Sequence, residues 1–361
     1  MPERLSLDGS YLEGGGQIVR TAVALSTLTG KPFDVHSIRA GRARPGLKAQ
    51  HLHGIRAAAQ LCGATFEGAE LGSSRLSYSP GRLTAKNLAI DIGTAGSVTL
   101  LLQTILVPAM FVPAPIKLHI KGGTDVAWSM PADYFKEVLL HYIKPYAGFE
   151  FKLLRRGYYP RGGGSVELEI RPKFRLADFA SFDDFQAYLR DQQRIEATQL
   201  GSLVRVRGIS HAAKALERAE VAERQAKAAE LTLGPLGCPI DIDIEYMETL
   251  SAGSGITLWA MFSTGEGQQF RLGGSSLGEK GKSAEEVGQA AATALLAEIR
   301  AGAPIDSHMA DNIVPFLGLF GGVVSCAQLT PHTRTNIYVV ESILGVKFKI
   351  DEANRIIECK F

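Results

Sequence analysis

Apolar positions fall into a recurring order along the chain. Three stretches open with small or polar residues and then turn apolar with helical spacing: GGGQIVRTAVALSTLTG (14–30), GTAGSVTLLLQTILVPAM (93–110) and HMADNIVPFLGLFGG (308–322). Each is followed by a second helix-like segment, at 45–64, 131–148 and 333–346. These second segments end at glycine and run into a short alternating strand, GATFEG, GFEFKL or GVKFKI. Glycine suits a helix end that must turn left-handed. Alternation suits a strand with one buried face. The pattern predicts an α/β unit of roughly 60–90 residues used three times.

The third copy lies far from the second. Between them, 185–302 carries strands of its own (SLVRVRGI, PIDIDIEYM, GITLWAMFS) and helices expected over 212–231 and 284–302. We read it as a smaller inserted α/β domain, with 1–184 and 303–361 forming the large domain. The 212–231 segment alternates acids and bases, which fits a solvated helical face. The 25 residues from Ile92 to Ile116 carry no charge, but Pro108, Pro113, Pro115 and Gln103 argue against a lipid-facing span. A buried helix from Ser97 to about Val107, then a turn, is expected instead.

Composition changes this picture little. With 39 Lys+Arg against 37 Asp+Glu, the formal charge of +2 announces no polyanion or membrane partner by itself. At 45% hydrophobic residues the chain can build real cores, which excludes a disordered tail or a disulfide-stapled miniprotein. The four cysteines, at 62, 238, 326 and 359, have no zinc-ligand spacing, and a reduced, cytoplasmic setting is expected. MPERLSLDGS lacks the apolar core of a signal peptide.

Local patterns say more. From Val35 to Phe66 there is no acid, while Arg39, Arg42, Arg44, Lys48 and Arg56 supply five fixed positive charges beside His51 and His53. Such a window suits phosphate, although its cations could also pair with acids elsewhere. Gly14–Gly15–Gly16 precedes a helix, whose N-terminus is a natural anion site. Glu13 beside it could hold a divalent cation or simply favour the helix start. In RRGYYPRGGGSVEL (155–168) three glycines follow Arg155, Arg156 and Arg161, which reads as an anion loop or as a tight turn. The usual nucleotide devices are absent: GEKGKS (278–283) has Ser276 where a P-loop needs glycine, and SLDG (6–9) lacks the lysine of a K-x-D-G motif. On spacing alone, His308 and His332 are each either a nucleophile or an ordinary satisfied histidine.

RRGYYPRGGGSVEL, with its R-G-x-x-P-x-G-G-G pattern, resembles the signature of the RNA 3'-terminal phosphate cyclase family. LEGGGQIVRTAVALS, GGTDVAWSMPADY, HMADN and PHTRTN resemble that family in the same order, over essentially the whole chain. The resemblance implies an α/β (α+β) fold of three βαβαββ-type units plus one inserted domain. It implies ATP-dependent closure of an RNA 3'-phosphate to a 2',3'-cyclic phosphate, with AMP carried covalently on His332. It assigns ATP contacts to Gln103, His308, Met309, Ala310, Asp311, Asn312 and Pro131, the last with Met130 as a wall of the adenine slot. His308 stands where the family often has Tyr, and Asn312 where Gln is expected. RNA or triphosphate phosphates fall to Arg20, Arg39, Arg42 and Gln50, and Mg2+ or Mn2+ to Glu13. The implied partners are ATP and RNA with a 3'-terminal phosphate, with no membrane; a homodimer is left open. Two rivals are weighed. A branch of the family works in ribosome assembly without the nucleophilic histidine, and His332 speaks against it. Enolpyruvyl transferases also repeat βαβαββ units, but the signature loop and the acid-free window speak against them.

Overall fold

The computed structural model describes residues 4–12 and 14–360. The first unit runs β1 (Leu5–Asp8), α1 (Gly16–Thr29), β2 (Phe33–His36), α2 (Ala49–Cys62), β3 (Thr65–Glu67) and β4 (Leu76–Ser79), with sheet order β1-β2-β4-β3. The second repeats it: β5 (Leu88–Asp91), α3 (Val98–Ala109), β6 (Ile116–Gly122), then α4 (Ala132–Tyr134) and α5 (Leu140–Ile143) joined by a π-turn at Phe135–Leu139, then β7 (Ala147–Arg155) and β8 (Gly164–Pro172). Its order is β5-β6-β8-β7. In both sheets the first two strands are parallel and the others antiparallel.

Helix α6 (Phe182–Arg190) leads to the short β9 (Ile195–Ala197), and a separate sheet follows. It comprises β10 (Ser202–Ala213), α7 (Val221–Leu233), β11 (Ile240–Met247), β12 (Ser254–Ser263), β13 (Gln269–Leu277) and α8 (Ala284–Ala301), ordered β11-β10-β12-β13. The chain then returns with α9 (Met309–Phe320), β14 (Gly322–Ser325), α10 (Pro331–Leu344), β15 (Lys347–Asp351) and β16 (Ile356–Lys360). Strand β9 pairs in parallel with β14, so the third sheet reads β9-β14-β16-β15, the order of the first two. The three expected units and the extra α/β element are therefore present. The fourth sheet and its helices come from the chain between β9 and α9. The expected insert, 185–302, also takes in β9, which lies in the third sheet, and Phe185, which is buried edge-on against Phe111 of the second unit.

Local chemistry explains the boundaries. Helices α1, α2 and α10 end at Gly30, Gly63 and Gly345, each with φ near +70°. The second unit departs from this expectation. Its helix ends at Ile143, two residues before Pro145, and Gly148 lies inside β7. The helix expected from 212 begins at Val221, because Ala212 and Ala213 continue β10 between two partner strands. A ladder on both sides outweighs alanine's helix propensity.

Helix α1 is buried on nearly every side and packs against α2, α3 and α10. It is the contact point of all three units. The uncharged stretch around α3 is core, and among the described residues no helix is long and apolar enough to cross a membrane. Helices α7 and α8 cover one face of the fourth sheet. Trp259 on β12 turns the other way and packs against Tyr134 and Val138 of the second unit.

Candidate active site

The Gly14–Gly15–Gly16 turn delivers the N-terminus of α1 with no side chain capping it. Its first amide donors therefore face outward, with the positive end of the helix dipole. A methyl group built on Gly15 would lie 3.6 Å from Arg42 Nη2 and 3.9 Å from His332 Cε1. His332 occupies the first turn of α10, where Thr330 Oγ1 accepts the Thr333 amide at 3.2 Å. So a histidine, an arginine and two helix N-termini from different units meet at one glycine turn. Glu13 falls outside the described residues.

Behind this turn lies His51, buried against α1. A Cβ on Gly16 would come within 2.1 Å of His51 Nε2, so only glycine fits there. His51 Nδ1 accepts the Lys48 amide at 3.0 Å, which leaves the ring proton on Nε2 in the neutral tautomer. Burial, with Arg20, Arg39 and Lys48 adding to it, pushes His51 down to about 3. It is a neutral donor aimed at the glycine turn, and sequence reading had placed it only within the basic window.

The cations of that window crowd one another. Arg39, buried and with φ +55°, donates through Nη1 to the Arg44 and Gly46 carbonyls at 2.8 Å each, holding the loop closed. Burial and then Arg42 lower its pKa. Lys48 is lowered by burial, then by Arg39, Arg44 and Arg42. Burial pushes Arg20 down to about 10. An arriving polyanion would relieve all three. Gln50, half-buried in the first turn of α2, faces the loop before α3, its Cβ 3.7 Å from where a Gly96 methyl would sit.

A polar chain crosses the three units beneath the site. Arg20 Nε donates to Gln103 Oε1 at 2.9 Å, Gln103 Nε2 to Asn312 Oδ1 at 2.8 Å, and Asn312 Nδ2 to Asp311 Oδ1 at 2.8 Å. Gln17 Nε2 donates to Asp311 Oδ2 at 2.7 Å, and Asn336 Nδ2 to the Asp311 carbonyl at 2.6 Å. Desolvation raises the Asp311 pKa, opposed by His332, Gln17 and Arg20. Gln17 and Asn336 were not foreseen; Gln17 is the second residue of α1 and Asn336 lies in the second turn of α10, both in helices whose apolar pattern hid them.

On the other side, Thr99 Oγ1 donates to the Met130 carbonyl at 2.8 Å and Pro131 starts α4. Asp306, wholly buried, organises this wall. Its Oδ1 accepts the amides of His308 (3.0 Å) and Met309 (2.8 Å) and the Tyr134 hydroxyl (2.7 Å), while Oδ2 accepts the Gly273 amide of the insert at 2.8 Å. His308 is left exposed, edge-on to Tyr134 at 6.2 Å. Met309 and Ala310 are buried in the core, and both their amides bond to Asp306.

The signature loop behaves differently from the anion reading. Arg156 is wholly buried. Its Nη1 lies 3.2 Å from Asp125, its Nη2 2.9 Å from Asp133 and its Nε 2.7 Å from Glu245 of the insert. His211 of the insert joins them, Nε2 3.4 Å from Asp125 and Nδ1 2.8 Å from the Tyr158 hydroxyl; burial and then Arg156 hold it well below its usual range. Asp125, Asp133 and His211 are close enough to hold a metal, but Arg156 already supplies the cation. The loop glycines are there for packing: a Cβ on Gly162 would lie 2.6 Å from the Thr94 carbonyl oxygen.

The sequence matches a known family over nearly its whole length. The family model described as RNA 3'-terminal phosphate cyclase matches residues 11–350. The RNA 3'-terminal phosphate cyclase of Pyrococcus furiosus is 43% identical over 345 residues, covering 95% of this chain and 94% of its own. That of Methanopyrus kandleri is 44% identical over 355 residues, covering 96% and 95%. With a match of this extent on a thrice-repeated fold, the chain belongs to the RNA 3'-terminal phosphate cyclase family.

Proposed function

We propose that the protein uses ATP to convert an RNA 3'-terminal phosphate into a 2',3'-cyclic phosphate. The observation that carries this reading is the meeting of His332, Arg42 and the uncapped α1 N-terminus at Gly15, beside a loop of cations without acids. A neutral imidazole nitrogen of His332 attacks the α-phosphorus of ATP. The bond to the β-phosphate breaks, pyrophosphate leaves, and AMP remains on the histidine. Arg42, Arg39, Arg20 and the α1 amides neutralise the triphosphate, and Asp311 stabilises positive charge on the His332 ring. His308 and Pro131 flank the adenine, Gln103, Asp311 and Asn312 hold its attached groups, and Gln50 contacts phosphate. The backbone at Met309 and Ala310 lines the helix start. A divalent cation at Glu13 would add charge neutralisation on the phosphates.

An oxygen of the RNA 3'-phosphate then attacks the AMP phosphorus, the P–N bond breaks, and His332 is restored. The neighbouring 2'-hydroxyl attacks the 3'-phosphorus and releases AMP. This intramolecular step has an effective molarity on the order of 10⁵ M or more, so the protein needs only to orient the sugar. Labelled α-phosphate from ATP should appear on the wild type and be lost in His332→Ala, while His308→Ala keeps part of it. Matched oligonucleotides separate the later steps. A terminal ribose 3'-phosphate should lose one water, and a terminal deoxyribose should at most gain AMP. Label retained in His332→Ala, or ribose substrate merely dephosphorylated, refutes the reading.

A further inference from the structure

Trp128 is 99% exposed, whereas the other tryptophan, Trp259, is 3% exposed. Its backbone is left-handed, φ +66°, a region that costs a bulky residue about 1–2 kcal/mol. Among the described residues none covers the ring, yet both ends of its loop are pinned. Before it, the Thr124 amide donates to the Gly157 carbonyl at 2.9 Å. After it, Ser129 Oγ donates to the Val126 carbonyl at 3.0 Å, and Met130 is fixed by Thr99. The loop thus lifts one large ring into solvent two residues from the Met130–Pro131 wall. The adjoining signature loop adds a second exposed ring, Tyr159 at 77%, between Arg155 and Arg161. Those arginines donate to the carbonyls of Gly163 and Leu250, and neither pairs with a carboxylate among the described residues.

We propose that Trp128 is the stacking platform for a nucleobase of the single-stranded 3' end, with Arg155 and Arg161 beside the upstream backbone. The inference rests on the cyclase reading and extends it to which part of the RNA is held. An exposed ring beside the Met130–Pro131 wall, next to a loop whose arginines meet no carboxylate among the described residues, suits a base and the phosphates upstream of it. A protein partner would call for a contiguous apolar patch, and here two exposed rings stand on two separate loops, the second between Arg155 and Arg161 in the chain.

The test uses Trp128→Ala, Trp128→Phe and Trp128→Gly in the full chain with single-stranded oligoribonucleotides ending in a 3'-phosphate. Trp128→Ala should raise KM roughly 5- to 150-fold, the span of a lost base–aromatic stack, with kcat little changed. Trp128→Phe should recover most of the loss. Trp128→Gly should weaken RNA use as Ala does while leaving Tm unchanged or higher, because glycine relieves the left-handed backbone. Abasic sites walked back from the 3' end should reveal one position at which wild type and Trp128→Ala become equal. Protein adenylylation from ATP takes no RNA and reports on the chemistry separately. A wild type that adenylylates and cyclises, with KM unmoved in Trp128→Ala or with no abasic position that closes the gap, overturns the stacking proposal alone. A wild type that fails to cyclise overturns the functional reading and this inference with it.

Discussion

Replacing Arg156 by Met removes the guanidinium that lies between three carboxylates, two of them in the second unit and one in the insert. Methionine nearly fills the space but leaves Asp125 and Asp133 buried and unneutralised. Breaking a buried pair in this way costs about 3–5 kcal/mol. Unfolding entropy of about 2.1 cal/mol/K per residue gives roughly 0.76 kcal/mol/K for 361 residues, so Tm should fall by about 4–7 °C in a single transition. The fall is larger if the insert melts first. Burial already raises Asp133, and Arg156 is the main force opposing that rise. Without the guanidinium, Asp133 should move further up. A carboxyl raised in the folded state contributes stability at low pH that is lost as pH climbs through its folded pKa. The gap between wild type and Arg156→Met should therefore be widest near pH 8 and narrow toward pH 5. Melts followed by circular dichroism at both pH values measure it, and Asp125→Asn with Glu245→Gln should restore part of the loss. A gap below about 1 °C, or one that does not narrow on acidification, refutes the account of the network.

Two further outcomes follow from the glycine turn. Because His51 is depressed to about 3, its unfolded form takes up a proton below about 6.5 while the folded form does not, so it should cost stability by up to about 1.4 kcal/mol per pH unit on acidification through that window; denaturant midpoints of His51→Gln across pH 4–7 should lack this slope. Gly16→Ala should lower stability by about 1–3 kcal/mol and impair adenylylation, since the new methyl meets His51 Nε2, and adding His51→Ala should recover the stability but not the activity.

The repeats were legible because each unit ends its second helix near a short alternating strand, a signal that survives without any tertiary knowledge. Strand β9 was not, since three residues carry no period, and its partner Gly322 lies 127 positions on (322 − 195). The site divided the same way. His332, Arg42 and the glycine turn are local motifs. Arg156 looked like an anion ligand because its carboxylate partners, at 125, 133 and 245, are brought to it only by the fold. His51 looked like one more positive group because the burial that keeps it neutral comes from the packing of α2 on α1.

The position of the insert between β9 and α9 also sets a timetable for synthesis. Strand β9 leaves the ribosome long before β14, and a 127-residue separation makes their pairing one of the slowest events available to the chain (322 − 195). Domains generally fold as units during synthesis, N-terminal first. The first two units and the insert can therefore dock through Arg156, Glu245 and Trp259 while β9 waits as a loose end. That docking shortens the loop α9 must close, and Asp306 then bonds to both the insert and the start of α9. His332 arrives last of all. A nascent chain halted between the insert and α10 would hold its cationic loop ready but have no nucleophile, so phosphate binding should appear earlier in translation than adenylylation.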